Sequence, residues 1–491
     1  MNLIIEGHRF HYEMQRLVGQ FFPLQKIIVF QQGALPPDAQ EAYVYTALKQ
    51  TKDAVQLQAS YFCCGKTHTL KERMDAVLPD FLKQAELTLG RLVYRLLAPL
   101  TGITPPWGIL TGIRPVKLLR QLYGACPTPG QAQRAFAEEY LVSPQKLALA
   151  AQTRQKEDRV LARSRPESFS LYVSIPFCPS RCRYCSFISQ NITMAYRVLP
   201  DYLQLLCQEI GQAGAVAAAL GLRLETVYFG GGTPTALEAE QLSRIMAAIE
   251  QAFDLSTVAE YTVEAGRPDT ITPKKLEAIR RGGAGRVSVN PQTFNPQVLA
   301  AIGRGHTVQQ FYQGFAMARE AGFDCINIDL IAGLPGDDLR SFQESIHQAL
   351  ALNPENITLH TLSVKRAADL GATAGAELGG RYHQATRMVD YGQCRMMRQG
   401  YHPYYLYRQQ NTAGNLENTG FSPPGHEGLY NVYIMDEAHS IFAVGAGAVT
   451  KLRHPQTGVI KRLYNPKYPF EYISRFEQRA GRGDEICRFY K

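Results

Sequence analysis

The chain has 491 residues, of which 45% are hydrophobic and 19% are charged, the composition of a globular protein with a substantial buried core. This length exceeds one ordinary domain and predicts two or three. Lysine and arginine outnumber aspartate and glutamate by 52 to 43, a mild excess that does not indicate a nucleic-acid partner and that fits either an anionic ligand or an ordinary surface.

We expect neither a membrane span nor a signal peptide. No apolar run approaches the roughly 18 residues that a transmembrane helix needs. Residues 1–15 lack a basic stretch followed by a long apolar core. The ten cysteines are mostly scattered and do not form a disulfide framework, which predicts a reduced, cytoplasmic protein.

The N-terminal part is predicted to be an accessory α+β domain. A turn-rich stretch leads into a basic amphipathic helix within 105–123, and residues 131–163 have a helical pattern. The stretch RSRPESF (163–169) is typical of a linker. We therefore predict an accessory domain at 1–165, a central domain at 166–400 and a C-terminal extension at 401–491.

Strands alternate with helices from about residue 170 onward. The candidate strands are short and several are almost continuously apolar, as strands buried on both faces are. They span 171–177, 225–231, 261–265, 286–292, 325–333 and 356–364. The helical patterns span 201–220, 238–253, 273–281, 296–321, 339–352 and 376–399. Six such units predict an α/β fold in which a parallel sheet closes into a partial (β/α)6 barrel.

Residues suited to chemistry gather at the predicted strand ends, where the active sites of parallel barrels lie. Three cysteines follow the first strand, and the glycines 230–232 end the second. Glu264 ends the third strand, Gln292 ends the fourth, and Asp329 lies in the fifth. This convergence is the strongest functional signal in the chain.

The three cysteines have the spacing Cys178-x-x-x-Cys182-x-x-Cys185. A structural zinc ion would need a fourth ligand, and the nearest further thiol, Cys207, falls within a helical pattern. A [4Fe–4S] cluster on three thiolates, with its fourth iron open to a ligand, fits the spacing better. Three cysteines in one loop without a metal would be prone to oxidation.

This spacing, followed by an aromatic residue, resembles the radical S-adenosylmethionine (SAM) superfamily. The stretches YVSIPFCPSRCRYCSF (172–187), YFGGGTPTAL (228–237) and NIDLIAGLPGD (327–337) resemble the oxygen-independent coproporphyrinogen III oxidase (dehydrogenase) family, which includes heme chaperones. LTGIRP (110–115) most resembles its HemZ-type branch. The resemblance implies a radical-SAM barrel in which Cys178, Cys182 and Cys185 hold the cluster and SAM binds the open iron.

The family's SAM-binding positions can be carried over residue by residue. They fall on Tyr172, the backbone at Tyr184, Gly231, Gly232, Thr233, Glu264, Gln292, Arg304 and Asp329. The glycines would let the backbone approach the SAM amino group, Arg304 would face its carboxylate as a two-pronged donor, and Asp329 would contact its ribose. The alternatives are a tight turn for the glycines, a surface charge for Glu264 and a carboxylate bound to backbone amides for Asp329.

Two positions depart from the decarboxylating members of the family. Ser174 stands where they carry His, and Phe187 stands where they carry a fourth Cys. The Phe is shared with chaperone-like relatives, whose C-terminal His-Asn-x-x-Tyr-Trp signature is at most echoed by HEGLYNVY (426–433). Neither signature is complete.

The resemblance therefore implies three candidate activities. The first is oxidative decarboxylation of two propionates of coproporphyrinogen III to vinyl groups, giving protoporphyrinogen IX in heme biosynthesis. The second is heme binding and delivery, and the third is a radical reaction on heme itself. The implied partners are a porphyrinogen or heme and an electron donor such as flavodoxin or ferredoxin. No catalytic residue beyond the cofactor set is assigned.

Overall fold

The computed structural model describes the chain except residues 24, 32–40, 51–53, 76–79, 188, 364–377 and 410–411, and except the side chains of 378–382 and 413. The chain forms two compact units. The first comprises Met1–Arg154, Thr373–Thr386 and Tyr407–Glu417, and the second comprises Gln155–Ala372, Arg387–Leu406 and Asn418–Lys491. The three-part division with boundaries after residues 165 and 400 stays a prediction. No described helix is long and apolar enough to cross a lipid bilayer.

The first unit combines a five-stranded sheet with helices. Its strands are β1 (Asn2–Glu6), β2 (Ile28–Gln31), β3 (Tyr43–Gln50), β4 (Ala54–Cys63) and β5 (Lys66–Asp75). Its helices are α1 (His11–Phe21), α2 (Phe81–Thr101), α3 (Pro115–Ala125), α4 (Pro129–Tyr140) and the start of α5 (Pro144–Leu161). In the order β2-β1-β3-β4-β5, β1 is parallel to both its neighbours and the last three strands are antiparallel.

A buried ion pair lies within the first unit. The ammonium of Lys146 donates to Oε1 of Glu417 at 2.7 Å, and the indole N–H of Trp107 donates to Oε2 at 2.6 Å. The side chains of Lys146 and Glu417 are 1% and 0% exposed. Both carboxylate oxygens have protein donors, which is the condition under which a buried charge is tolerated.

The second unit is built on an eleven-stranded sheet with a small two-stranded ribbon beside it. The strands are β6 (Ser168–Ile175), β7 (Phe177–Cys178), β8 (Gln190–Asn191), β9 (Arg223–Gly231), β10 (Glu260–Glu264), β11 (Arg286–Ser288), β12 (Cys325–Ala332), β13 (Asn356–Thr361), β14 (His402–Arg408), β15 (Glu417–Ser422), β16 (Ser440–Val444), β17 (Val449–Arg453) and β18 (Ile460–Tyr464). The sheet order is β14-β15-β13-β12-β11-β10-β9-β6-β16-β17-β18.

The six predicted strands are the consecutive parallel strands β6, β9, β10, β11, β12 and β13 of this sheet. The predicted α/β class is therefore confirmed. The fourth strand is shorter than predicted, because β11 ends at Ser288. The sheet continues beyond the six strands, with antiparallel β15 beside β13 and parallel β16 beside β6.

The parallel strands have one apolar and one polar face. Leu171, Val227 and Val263 are fully buried, whereas the next residue along each strand is Tyr172, Tyr228 or Glu264, all half-buried. Successive side chains of a strand point to opposite faces, so these polar residues share the second face. Although these strands look almost continuously apolar in the sequence, they therefore have a polar face, and the predicted site lies on that face.

The helices of the second unit follow the predicted order with one correction. They are α6 (Leu199–Ala219), α7 (Ala239–Ala252), α8 (Pro273–Arg281), α9 (Pro296–Ala301), α10 (Val308–Glu320), α11 (Leu339–Ala351), α12 (Leu378–Arg398), α13 (Leu429–Asp436), α14 (Pro469–Ser474) and α15 (Arg482–Tyr490). The single helix predicted over 296–321 was wrong. Gly303, with φ of +70°, follows the end of α9, and Thr307 caps α10 by accepting from the N–H of Gln310.

Candidate functional site

The three cysteines occupy the loop after β6. Cys178 ends β7, which pairs with β8, and Cys182 and Cys185 lie between these two strands. All three are free thiols, with Cys182 buried and the other two half-buried. The loop is attached to the end of α9, because the backbone N–H of Arg183 donates to the carbonyl of Ile302 at 3.0 Å.

The donor set of this loop is the one expected for a [4Fe–4S] cluster held by three thiolates. Among the described residues, no group of three or more His, Cys, Asp or Glu side chains converges closely enough to hold one metal ion. In a [4Fe–4S] cluster each thiolate binds a different iron, so the ligands need not converge on one point. The three thiols are therefore compatible with the cluster that the sequence predicts.

The turn after β9 admits only glycine at its centre. A Cβ on Gly232 would lie 2.5 Å from the carbonyl oxygen of Phe177, and Gly231 has a φ of +108°. The backbone N–H of Thr233 donates to the same oxygen of Phe177 at 2.7 Å. The hydroxyl of Thr233 lies 3.4 Å from the sulfur of Cys178. The glycine turn thus lies against the cysteine loop.

Glu264 lies beside this turn at the end of β10. Its Oε1 accepts from the phenol of Tyr228 at 2.7 Å and lies 3.2 Å from the point where a Cβ on Gly230 would stand. Burial raises the pKa of Glu264 to about 7, and Asp329 adds to the increase while Tyr228 opposes it. Near neutral pH this carboxyl group titrates, and a cationic ligand beside it would favour its ionised form.

Three tyrosine rings stack on the polar face. Tyr228 and Tyr430 have centroids 4.4 Å apart, and Tyr172 lies 6.2 Å from each of them, with all three planes nearly parallel. Tyr430 belongs to α13, whose first residue, Leu429, donates its N–H to Glu260 at 2.6 Å. Sequence reasoning assigned no role to Tyr430, although the HEGLYNVY stretch was the signal that pointed to it.

Side chains hold Asp329, and among the described residues no backbone amide donates to its carboxylate. Its carboxylate accepts from the side-chain amides of Asn290 at 2.7 Å and Asn327 at 2.8 Å, and His360 Nε2 lies 3.8 Å away. Burial raises the pKa of Asp329, but His360 and the hydrogen bonds outweigh it and leave that pKa below its usual value. Asp329 is therefore ionised, and the backbone-amide alternative does not hold.

Gln292 has an unusual backbone conformation. Its φ of +67° lies in the left-handed region, which costs a non-glycine residue of order 1–3 kcal/mol. The strained residue is tied to β12, because its N–H donates to the carbonyl of Asp329 at 3.0 Å and its own carbonyl accepts from Ile331 at 3.0 Å. Its side chain is buried.

Arg304 lies in the break between α9 and α10. Its Nη2 donates to the carbonyl of Gly266 at 3.2 Å, while its Nε is buried without a hydrogen-bond partner among the described residues. A buried donor left unpaired costs about 1–3 kcal/mol. A guanidinium in this condition fits an anionic ligand such as a carboxylate.

Tyr184 links the cysteine loop to the fifth strand. It packs against an apolar cluster formed by Val298, Leu299, Ile302, Ile331, Leu334 and Leu362. Burial raises the pKa of its phenol. The positive charge of Arg304 opposes this increase, and the negative charge of Asp329 adds to it. The predicted site residues thus form one connected group at the carboxyl ends of the strands, and their individual roles stay predictions.

The two positions that depart from the decarboxylating members have different surroundings. Ser174 is buried, and its hydroxyl donates to the carbonyl of Ala446 at 2.8 Å. The hydroxyl is thus engaged with the backbone of the turn after β16. Phe187 is 66% exposed at the end of the cysteine motif.

The chain is similar to several known proteins. The profile of the radical SAM superfamily matches residues 172–349. The chain is 36% identical to the oxygen-independent coproporphyrinogen-III oxidase-like protein HemZ of Bacillus subtilis (strain 168), over 97% of this chain and 96% of that protein. It is 32% identical to the heme chaperone HemW of the same organism, over 60% of this chain and 74% of that protein.

The fold is also similar to a solved structure. The coproporphyrinogen III oxidase (HemN) from Escherichia coli, described as a radical SAM enzyme, aligns with a TM-score of 0.50 at 23% identity, over 65% of this chain and 72% of that chain. The full-length match to HemZ, the superfamily profile and the three-thiol loop agree with one another. The chain belongs to the radical SAM superfamily and, within it, to the HemZ-type branch of the oxygen-independent coproporphyrinogen III oxidase family, with a [4Fe–4S] cluster and SAM as its cofactors.

Proposed function

We propose that this protein catalyses the oxygen-independent oxidative decarboxylation of two propionates of coproporphyrinogen III to vinyl groups, giving protoporphyrinogen IX in heme biosynthesis. In each round, one propionate would lose a β-hydrogen atom, one electron and its carboxylate as CO2, with the bound cluster and SAM supplying the hydrogen-atom abstraction and an acceptor taking the electron. The relative that matches nearly the whole chain is named as coproporphyrinogen-III oxidase-like, which supports this substrate class.

The observation that carries the proposal is the surface of the cluster-bearing loop. Phe187, Met194 and Tyr196 are 66%, 84% and 61% exposed there. The segment 168–200 contains no Asp or Glu and three arginines, at positions 181, 183 and 197. Exposed apolar groups among guanidinium groups match a large apolar ring that carries carboxylates. The four carboxylates of coproporphyrinogen gain more from these cations than the two of heme.

The chain's own residues would bind and orient SAM at the strand ends. Arg304, with its unpaired Nε, would take the SAM carboxylate. Glu264, beside the glycine turn, would face the positive charges of the methionyl part. Asp329, ionised and held by two side-chain amides, would accept from the ribose hydroxyls. The bound cluster and SAM would supply the electron and the radical.

Heme binding and delivery is the second candidate. It is favoured by the match to the chaperone HemW over 60% of this chain and by Phe187, the residue found at this position in chaperone-like relatives. Such a protein would bind heme stoichiometrically and would release no CO2. A radical reaction on heme itself is the third candidate, and it would consume SAM with heme as its second substrate.

The cluster must receive an electron from another protein. We propose that a small one-electron carrier of the flavodoxin or ferredoxin class supplies it in the cytoplasm. The arginines of the cysteine loop would attract such a carrier if it is acidic.

The deciding experiment is anaerobic incubation of reduced, cluster-loaded protein with SAM and either coproporphyrinogen III or heme, followed by product analysis. We expect protoporphyrinogen IX, CO2 and about one SAM consumed per propionate. Stoichiometric heme binding with SAM cleavage but no vinyl product would reject the decarboxylase and support the carrier.

A pair of variants tests the loop as the substrate surface. Arg197→Met should raise the KM for coproporphyrinogen III without changing the iron content, because the guanidinium that would meet a propionate is lost. Arg281→Met is the matched control, since Arg281 is an exposed arginine of α8 that pairs with Glu277 on the same helix. Equal effects of the two substitutions would mean that the loop is not the binding surface.

A further inference from the structure

Arg267 is a buried arginine that sequence reasoning did not single out. It follows Glu264 by three residues, and only 3% of its surface is exposed. Its Nε donates to Oδ1 of Asp269 at 3.0 Å, and its Nη2 donates to Oδ2 at 2.9 Å. This two-pronged pair fixes the plane of the guanidinium group, which leaves Nη1 directed to other acceptors.

The same guanidinium group binds the cysteine loop. Its Nη1 donates to the carbonyl of Ser180 at 3.2 Å and to the sulfur of Cys182 at 3.7 Å. Its Nη2 also donates to the hydroxyl of Ser180 at 3.1 Å. Cys182 is the buried member of the three cysteines, so its sulfur has a cationic donor inside the protein.

The loop that carries Arg304 packs on the same guanidinium group. A Cβ on Gly305 would lie 3.1 Å from Nη2 of Arg267, so a side chain there would press on the guanidinium. Arg304 in turn donates to Gly266, the residue before Arg267. The neighbouring His306 is uncharged at neutral pH, because burial lowers its pKa to about 4. Arg267 is therefore a cation in contact with a predicted cluster ligand, while the Nε of Arg304 keeps a donor for SAM.

We propose that Arg267 is a positioning residue that donates to the Cys182 thiolate and thereby raises the reduction potential of the cluster. Reduction adds negative charge to the cluster and its sulfurs. A hydrogen bond to a ligand sulfur and a nearby positive charge both stabilise the reduced form. Asp269 holds the guanidinium in place, so the donor does not depend on the presence of SAM.

The test is a redox titration of the anaerobically reconstituted full chain, followed by the electron paramagnetic resonance signal of the reduced cluster. Arg267→Met removes both the charge and the donor. We expect the equilibrium constant for reduction to fall about tenfold, which for one electron is a shift of about 59 mV toward more negative potential. Arg267→Gln keeps a neutral donor, and we expect a smaller shift in the same direction.

Arg183→Met is the matched control. Arg183 lies between Cys182 and Cys185 but is exposed, and its Nη1 donates to the carbonyl of Ala301 and not to a sulfur. Because its exposed guanidinium is screened by solvent, its loss should shift the potential much less than the loss of Arg267 does. The proposal is overturned by an unchanged potential in the iron-loaded Arg267 variants or by an equal shift in Arg183→Met. Loss of iron from both Arg267 variants would also overturn it, since Arg267 would then serve only to hold the loop.

Discussion

One buried ion pair of the first unit and the charged groups at the strand ends of the second unit differ in how fully their charges are paired. In the first unit, Lys146 and Glu417 are 1% and 0% exposed and bind each other at 2.7 Å, while Trp107 supplies the donor for the second carboxylate oxygen. At the strand ends of the second unit, Arg304 keeps a buried Nε without a partner among the described residues. Glu264 there has a pKa raised to about 7, first by burial.

Buried charges that are fully paired serve the structure of the fold, whereas buried charges that are incompletely paired are suited to binding a ligand. We call Lys146 and Glu417 a closed pair, because each charge is balanced by the other and neither is available to a ligand. We call a buried charged group open when it lacks part of its partners. Its burial is then electrostatically unfavourable, a bound ligand can offset that cost, and such groups collect at functional sites. Changes in the closed pair should therefore alter stability, and changes at the strand ends should alter binding.

The largest effect is expected at the cysteines. Anaerobically purified protein should be brown and hold about four irons per chain. Replacing Cys178, Cys182 and Cys185 together with Ala should abolish iron binding, because all three predicted protein ligands of the cluster are lost. Cys207→Ala, in α6, is the control and should retain the iron. A triple variant with full iron content by chemical assay would refute the cluster site.

Breaking the closed pair should mainly reduce stability. Lys146→Met leaves the Glu417 carboxylate buried without its cation, and we expect the free energy of unfolding to fall by about 3–5 kcal/mol. The measurement is urea denaturation of the apoprotein. The exposed pair of Arg281 and Glu277 is the control, and Arg281→Met should cost less than about 1 kcal/mol. Weaker SAM binding by folded Lys146→Met would contradict the expectation that this pair serves stability and not binding.

Removing the open charges should mainly reduce SAM affinity. Arg304→Ala and Asp329→Ala each delete one charge-assisted contact, so we expect each to weaken binding by roughly 1.5–3 kcal/mol. Calorimetry on cluster-loaded protein measures this, with iron content and the unfolding midpoint as controls. Unchanged affinity in both variants would show that the assignment of these residues to SAM is wrong.

The smallest effect is a dependence of SAM affinity on pH. Glu264 has its pKa raised to about 7 in the free protein, so it is largely protonated below that pH. If bound SAM requires the carboxylate, affinity should be constant above pH 7 and fall up to tenfold per pH unit below it. Glu264→Gln should remove this dependence, whereas His360→Gln, which alters a side chain 3.8 Å from Asp329, should retain it. A flat profile for the unaltered protein would contradict the proposed contact.

Much of the second unit could be predicted because its information is local. The six parallel strands and most of the helices were located from short apolar runs and from helical periodicity. The helix predicted over 296–321 failed because the periodic pattern continues through residues 302–307, while Gly303 and Thr307 end one helix and begin the next. Arg304 lies in this break, so the wrong prediction concerned a residue of the candidate site.

Contacts from the C-terminal region were harder to anticipate. The sheet gains β15 and β16 from the segment after residue 400, and Tyr430 joins Tyr172 and Tyr228 on the polar face. Tyr430 and β16 lie more than 200 positions from their partners, and even β15 pairs with β13 across a long stretch, with Phe421 opposite Ile357. No local pattern specifies which strand a late segment will join. The HEGLYNVY stretch indicated that the region mattered without indicating what it contacts.

The sequence by itself determined the cysteine spacing, the glycine turn and the succession of parallel strands, because these follow from covalent spacing and local conformational preference. Only the tertiary structure decided which charges are closed and which are open. Lys146 and Glu417 are 271 positions apart, and Arg267 reaches Cys182 across 85 positions. Whether a charged side chain finds a partner depends on what folding brings beside it, and this distinguishes Arg304 and Arg267, which look alike in the sequence.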